Sequence, residues 1–230
     1  MTEFMIIAAV AAAVLAAVVA GRYLRGARDK ALYRWARRYG LRYNLDAYND
    51  MEGRYPEFAC LRQGFTRYAD NIIDGRWGKR RILAFDYHYA INADNRLPNL
   101  YRTFSAVVLE GDRPLKDLLI RPETLADKVS AFFGFEDIDF ESAQFSREFY
   151  VQAADRKWAY DVIHPRMMDL LMNSPRFSIQ MGRQYVIAWT SRRFSPNQFA
   201  QAAGLIAGIL DALPEYLPQR ADPGPEALTP

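Results

Sequence analysis

Apolar residues recur along this chain with several different periods, and each period predicts a different element. From Phe4 to Ala20 the run FMIIAAVAAAVLAAVVA is apolar on every side, with no charge, proline or hydrogen-bonding side chain. Its 17 residues would rise roughly 26 Å as a helix, slightly short of a hydrocarbon core of about 30 Å. Gly21, Tyr23 and Leu24 extend the span if Arg22 snorkels to the headgroups. Residues 1–24 therefore read as a transmembrane anchor.

The period then becomes helical. In residues 25–40, Leu32, Trp35, Ala36 and Tyr39 recur at three- and four-residue spacing among Arg34, Arg37 and Arg38, and Gly40 is placed to stop the helix. This basic juxtamembrane helix has two readings. Its arginines lie on anionic lipid, or Leu32, Trp35 and Tyr39 dock on the domain while the arginines are solvated.

Residues 41–68 are broken by Gly53, Pro56 and Gly64 and predict a short strand and loops. Period two follows. Residues 71–77 and 80–89 flank Gly78-Lys79 as a hairpin, with Phe85, Tyr87 and Tyr89 on one face and Asp86 and His88 on the other. Residues 92–99 read as a loop, 103–110 and 118–120 as separate strands, and 148–153 as another. Residues 177–180 and 184–190 read as a second hairpin turning at Gly182-Arg183. A helix opens at Pro122-Glu123 and closes at Gly134, and residues 156–172 form a helix that Pro165 splits. The last helix has the fullest signature: Ser195 as N-cap, Pro196 at the first position, Gln198 to close a capping box, Phe194 and Phe199 as a hydrophobic staple. Pro214 and Pro218 stop it, and the proline-rich residues 217–230 read as a disordered tail. Hairpins with segregated helices predict an α+β fold. A single soluble domain over residues 41–216 would carry an antiparallel sheet and two to four packed helices.

Charge fixes an expected orientation. Residues 22–42 hold eight of the 30 Lys and Arg residues (Arg22, Arg25, Arg28, Lys30, Arg34, Arg37, Arg38, Arg42) against Asp29 alone. The net charge of +3 thus belongs to this collar, and the domain is slightly acidic. That speaks against nucleic acid as a partner and for a lipid bilayer. Positive charge after the anchor places the domain in the cytoplasm of a single-pass protein. The alternative is a signal peptide cut after Ala20, with export, but Glu3 stands where such a peptide needs positive charge. The lone Cys60 allows no internal disulfide and suits a reducing compartment.

Candidate chemistry is sparse. Asp86 and His88 share a strand face, but two residues are not a zinc site, and the pair reads as an exposed ion pair on the solvent face. His164 reads as structural. Asp137, Asp139 and Glu141 would project together from an extended segment and are the candidate ligands for a divalent cation. The glycine turn and distal glutamate of an EF-hand loop are missing. Those charges would otherwise form a solvated acidic edge. No phosphate loop, nucleophile elbow or Cys-x-x-Cys occurs. No catalytic or cofactor-binding residue is assigned.

Residues 137–142 (DIDFES), Phe145, Phe149-Tyr150-Val151, Asp155, Ala159, Pro165 and Leu170-Leu171 resemble a pattern in uncharacterised bacterial single-pass membrane-anchored proteins that carry a domain of unknown function. Asn71-Ile72-Ile73, Gly75, Gly78 and Phe85-Asp86-Tyr87 are similar to the same group. The resemblance implies a tethered domain and no catalytic residue. The leading expectation is a non-enzymatic binding or assembly domain at the cytoplasmic face, with an unidentified protein partner and Trp77 and Tyr101 among its exposed contacts. The alternatives are an enzyme that brings Asp86 and His88 to the 137–141 carboxylates, and an anionic-lipid-binding module formed by residues 22–42.

Overall fold

The computed structural model describes residues 2–91, 100–123 and 138–215. The loop read at 92–99, the helix body after Glu123, Glu136, Asp137 and the tail from 217 lie outside the described residues. The domain is α+β, an antiparallel sheet with helices, reached through a long N-terminal helix.

That helix, α1, runs without a break from Thr2 to Arg38, so the anchor and the juxtamembrane helix are one element. Met5–Arg38 is long and apolar enough to cross a membrane, and its apolar window is wholly uncovered by the rest of the chain. A short strand β1 (Arg42–Asn44), a one-turn helix α2 (Met51–Arg54) and a 3-10 turn (Ala59–Arg62) lead to the sheet. Strands β2 (Phe65–Trp77), β3 (Arg80–Ala90) and β4 (Tyr101–Pro122) follow as a meander. Then come α3 (Ala143–Glu148), β5 (Phe149–Ala153), α4 (Arg156–Val162), α5 (Pro165–Met172), β6 (Ser178–Trp189) and α6 (Pro196–Ala212).

All pairings are antiparallel, in the order β1-β2-β3-β4-β5, with β6 along the other edge of β4. Two of the expected breaks are continuous strand. Residues 101–122 are one strand rather than two, and Gly182-Arg183 is not a hairpin turn. Arg183 adopts a φ of 53°, and the β4–β6 register shifts between Glu110 and Leu118. The two long strands kink together at an irregularity and continue, so a glycine that resembles a turn marks a bend. The segment expected to be a connection also contains α3, capped by Ser142, whose hydroxyl accepts from the Phe145 amide.

Side chains alternate between two apolar clusters on opposite faces of the sheet. On one face Ile73, Ile82, Ala84 and Val107 meet Leu32, Trp35 and Ala36 of α1, the buried stripe of α6 and residues of α3–α5. On the other, Leu83, Phe85, Tyr87 and Phe104 meet Met51, Tyr55, Phe58 and Leu61. The Gln180 amide pins that second layer, donating to the Glu57 carbonyl (2.6 Å) and accepting from the Ala59 amide (3.1 Å). The capping box on α6 is formed as expected. His164 caps α5, and its Nε2 meets the Ala212 carbonyl at 2.9 Å.

Leu32 and Trp35 dock on the domain, whereas Tyr39 stays 43% exposed. Trp77 stacks against Trp35 and Tyr39, with centroids 6.3 and 4.8 Å apart. It is a packing residue and not the free surface aromatic expected. These contacts and those of Arg28 with Asp86 orient β3 against α1. From Trp77 and Arg80 to Asp86 the strand climbs roughly 20 Å, while α1 climbs roughly 16 Å from Tyr39 back to Arg28. The two run side by side, with the Ala90 end of β3 toward the anchor.

Candidate functional site

The even-numbered face of β3 turns from apolar to polar as it climbs. Ile82 and Ala84 pack in the core, then come Asp86 and His88. Both are buried, at 0% and 5% exposure, which overturns their reading as an exposed pair on a solvent face. Arg28 of α1 covers Asp86, and the Tyr68 ring covers His88.

Nor do they pair with each other. The Asp86 carboxylate receives Arg28 of α1 in a two-pronged ion pair, Nη1 to Oδ2 at 2.6 Å and Nη2 to Oδ1 at 2.9 Å. Asn71 Nδ2 donates to it at 3.1 Å, the Ser105 hydroxyl donates to it closely, and Arg193 stands 4.0 Å away. The guanidinium of Arg28 also donates to the Phe194 carbonyl through Nε (3.1 Å) and Nη2 (2.8 Å). Ser105 Oγ accepts from the Phe194 amide at 2.8 Å. One arginine on α1 thus ties together β3, β4 and the segment that leads into α6. A bidentate guanidinium matches a carboxylate in a way that lysine cannot.

His88 has its own partners. Nε2 lies 2.9 Å from Asp70 Oδ1, Nδ1 lies 3.0 Å from Thr103 Oγ1, and the Tyr68 ring stacks flat at 4.4 Å. The carboxylate accepts from Nε2–H, and the Thr103 hydroxyl, which can donate or accept, meets Nδ1. Between the two systems, Asn71 takes a φ of 51° at a bulge in β2, and its Oδ1 accepts from the Tyr43 hydroxyl at 2.6 Å. Burial, with Asp29 and Asp86 adding to it, pushes the Tyr43 phenol up to about 12. Burial likewise raises Tyr68.

Of the 137–141 carboxylates, the described Asp139 and Glu141 do not join this cluster. Ile138 and Phe140 point inward and Asp139 and Glu141 outward, as the alternation predicts. The Ile138 amide bonds to Val151, which pairs with Ile120 at one end of β4. His88 pairs with Thr103 at the other end. Among the described residues no three His, Cys, Asp or Glu side chains gather as a metal site. Cys60 is buried, and burial pushes its thiol well up. A concavity of about 660 Å³ lies elsewhere, with Arg42, Arg54, Arg76, Arg81, Asp74 and Glu110 among its lining residues.

Of the basic collar, Arg22, Arg25, Lys30, Arg34, Arg37 and Arg38 are exposed. Arg28 alone turns inward. The chain pattern signals this, because Arg28, Leu32 and Trp35 or Ala36 fall at i, i+4 and i+7 or i+8 on one helical stripe.

The geometry defines a class: an antiparallel α+β domain joined to a long apolar N-terminal helix by a largely buried ion pair, with Asp86, Asn71 and Ser105 engaged in one another beside it. No protein-family model and no curated protein matches the chain. Among solved structures, it is similar to the crystal structure of the mycobacterial trehalose monomycolate transport factor A, TtfA. The TM-score is 0.61 and the identity 12%, and the match covers 84% of this chain and 97% of that one. At that identity the likeness is one of fold.

Proposed function

We propose that this chain is a single-pass membrane protein that holds a non-enzymatic domain at the cytoplasmic face, where it binds a protein partner or helps assemble a membrane complex. The observation that carries this reading is the Arg28–Asp86 pair. It makes the anchor helix and the sheet one body, and it occupies the carboxylate that catalysis would need free. His88 is likewise held between Asp70 and Thr103. The cytoplasmic side is supported by the exposed cations that follow the apolar run. The likeness in fold to a transport factor is compatible with an accessory role of that kind.

Crosslinking in intact membranes, followed by isolation of the full chain, tests it. The expected result is one protein recovered reproducibly with the unmodified chain and lost when Arg28→Ala uncouples the domain from the helix. Reporter fusions after Pro230 should be active on the cytoplasmic side. Turnover of a substrate that depends on Asp86 or His88, with no protein recovered, would overturn the proposal.

A further inference from the structure

At the end of the sheet nearest the N-terminal half of α1, the described residues present exposed apolar side chains. Phe65 is 54% exposed, Ile91 45%, Leu100 58% and Tyr101 42%. They sit at or next to the ends of three neighbouring strands, β2, β3 and β4. Phe65 and Tyr101 both stand opposite Ala90 across the sheet, and the Ile91 amide donates to the Leu100 carbonyl at 3.0 Å. Cross-strand partners share a face, so Phe65 and Tyr101 lie on the side that carries α1. Gly64 makes this arrangement possible. It has a φ of 60°, and a Cβ there would fall 2.3 Å from the Ala90 carbonyl oxygen. Glycine lets the start of β2 lie against β3 and present Phe65.

The height of this tip follows from the docking of α1. Arg28 fixes the level of Asp86. Ala90 stands roughly 13 Å further along the strand, equivalent to about nine residues of helix. The tip is therefore level with Val19 to Tyr23, where the uncharged run ends. Charge around it has the matching sign: Arg25 and Arg102 are exposed beside it, and Arg193 is one-third exposed below it. Among the described residues, the acid Asp70 meets His88 Nε2 at 2.9 Å. Aromatic and aliphatic side chains ringed by arginine suit the boundary between headgroups and acyl chains.

We propose that this tip, made by Phe65, Ile91, Leu100 and Tyr101, is embedded in the headgroup–acyl boundary of the bilayer that α1 crosses. The domain thus touches the membrane at two places, the anchor and the sheet tip. This rests on α1 spanning the bilayer, but not on the identity or existence of a protein partner.

The test uses the full chain, one copy per lipid nanodisc. A polarity-sensitive fluorophore is placed in turn at Phe65→Cys, Leu100→Cys, Val14→Cys in the anchor and Lys79→Cys at the opposite end of the sheet. The buried Cys60 stays in place, and the unsubstituted chain measures any labelling there. Lipids carrying a nitroxide at the headgroup or deep in the acyl chain serve as quenchers. The labels at 65 and 100 are expected to shift to the blue and to be quenched several-fold more than the label at 79, most strongly by the headgroup nitroxide. The label at 14 should respond most to the deep nitroxide. Quenching at 65 and 100 no greater than at 79 would overturn the proposal. So would a blue shift without lipid quenching, which would mean that protein covers the tip. A label at 14 that no lipid quenches would overturn it together with the spanning helix.

Discussion

Removing either partner of the Arg28–Asp86 pair should cost more than removing both would suggest. In Arg28→Ala the Asp86 carboxylate, at 0% exposure, keeps only Asn71 and Ser105 as donors. A buried charge stripped of its partner costs about 3–5 kcal/mol. Arg193, 4.0 Å away and partly exposed, can move closer, so the lower end, about 3 kcal/mol, is expected. In Asp86→Ala the guanidinium retains the Phe194 carbonyl, and its side chain is already 19% exposed. The loss there is two charge-assisted bonds at the low end of their range, about 3 kcal/mol. The double variant strands no charge and should cost about 3 kcal/mol in all, leaving a coupling of about 3 kcal/mol between the sites. Urea unfolding of the full chain in detergent, followed by tryptophan fluorescence, reads all three variants, since Trp35 and Trp77 sit in the docking contact itself. Costs that add to within about 0.5 kcal/mol would refute the claim that this pair couples helix to sheet.

Glu57 should act in the opposite sense. Its side chain is 4% exposed with Arg183 only at 3.8 Å, and burial raises its carboxyl above the ordinary value of 4.5. The folded chain then binds the proton more firmly than the unfolded one. Stability is highest below 4.5 and falls as pH rises through the raised value. Glu57→Gln should therefore melt higher than the unmodified chain at pH 8 and lose that dependence, and a lower melting temperature at pH 8 would contradict the assignment. Ser195→Ala removes the cap whose hydroxyl accepts from the Gln198 amide. It should cost about 1 kcal/mol in the same urea assay, with no cost if the box does not hold α6.

What could be read from the chain followed from how local the cause was. The cap, staple and stripe of α6 lie within one helix, and all are formed as the residues imply. The split at Pro165 is equally local, because proline removes the amide donor that a continuous helix needs. The two faces of β3 were legible as a period, but not their surroundings. A polar pair such as Asp86 and His88 reads as solvent-facing unless something covers it. The cover over Asp86 is Arg28 of α1, about sixty residues earlier, and over His88 it is the Tyr68 ring. The kinked strands failed differently. Gly182 and the polar stretch after Glu110 carry turn chemistry, yet each faces its counterpart in the partner strand. Two irregularities in register make a bend where either alone suggests an end.

The packing of the first helix against the last also has a consequence in time. Arg28 finds the Phe194 carbonyl 166 residues later, and Trp35 packs on Phe199 at 5.7 Å. At about 5–20 residues per second of synthesis, the stripe of Arg28, Leu32 and Trp35 emerges roughly 10–30 s before the helix that completes its seat. If the apolar half of α1 crosses a bilayer, the nascent chain carries through that interval an unsheathed amphipathic segment directly beside that lipid. The bilayer surface would shelter that segment until the ribosome releases α6. Maturation of the domain would then be a transfer of one helical face from lipid to protein.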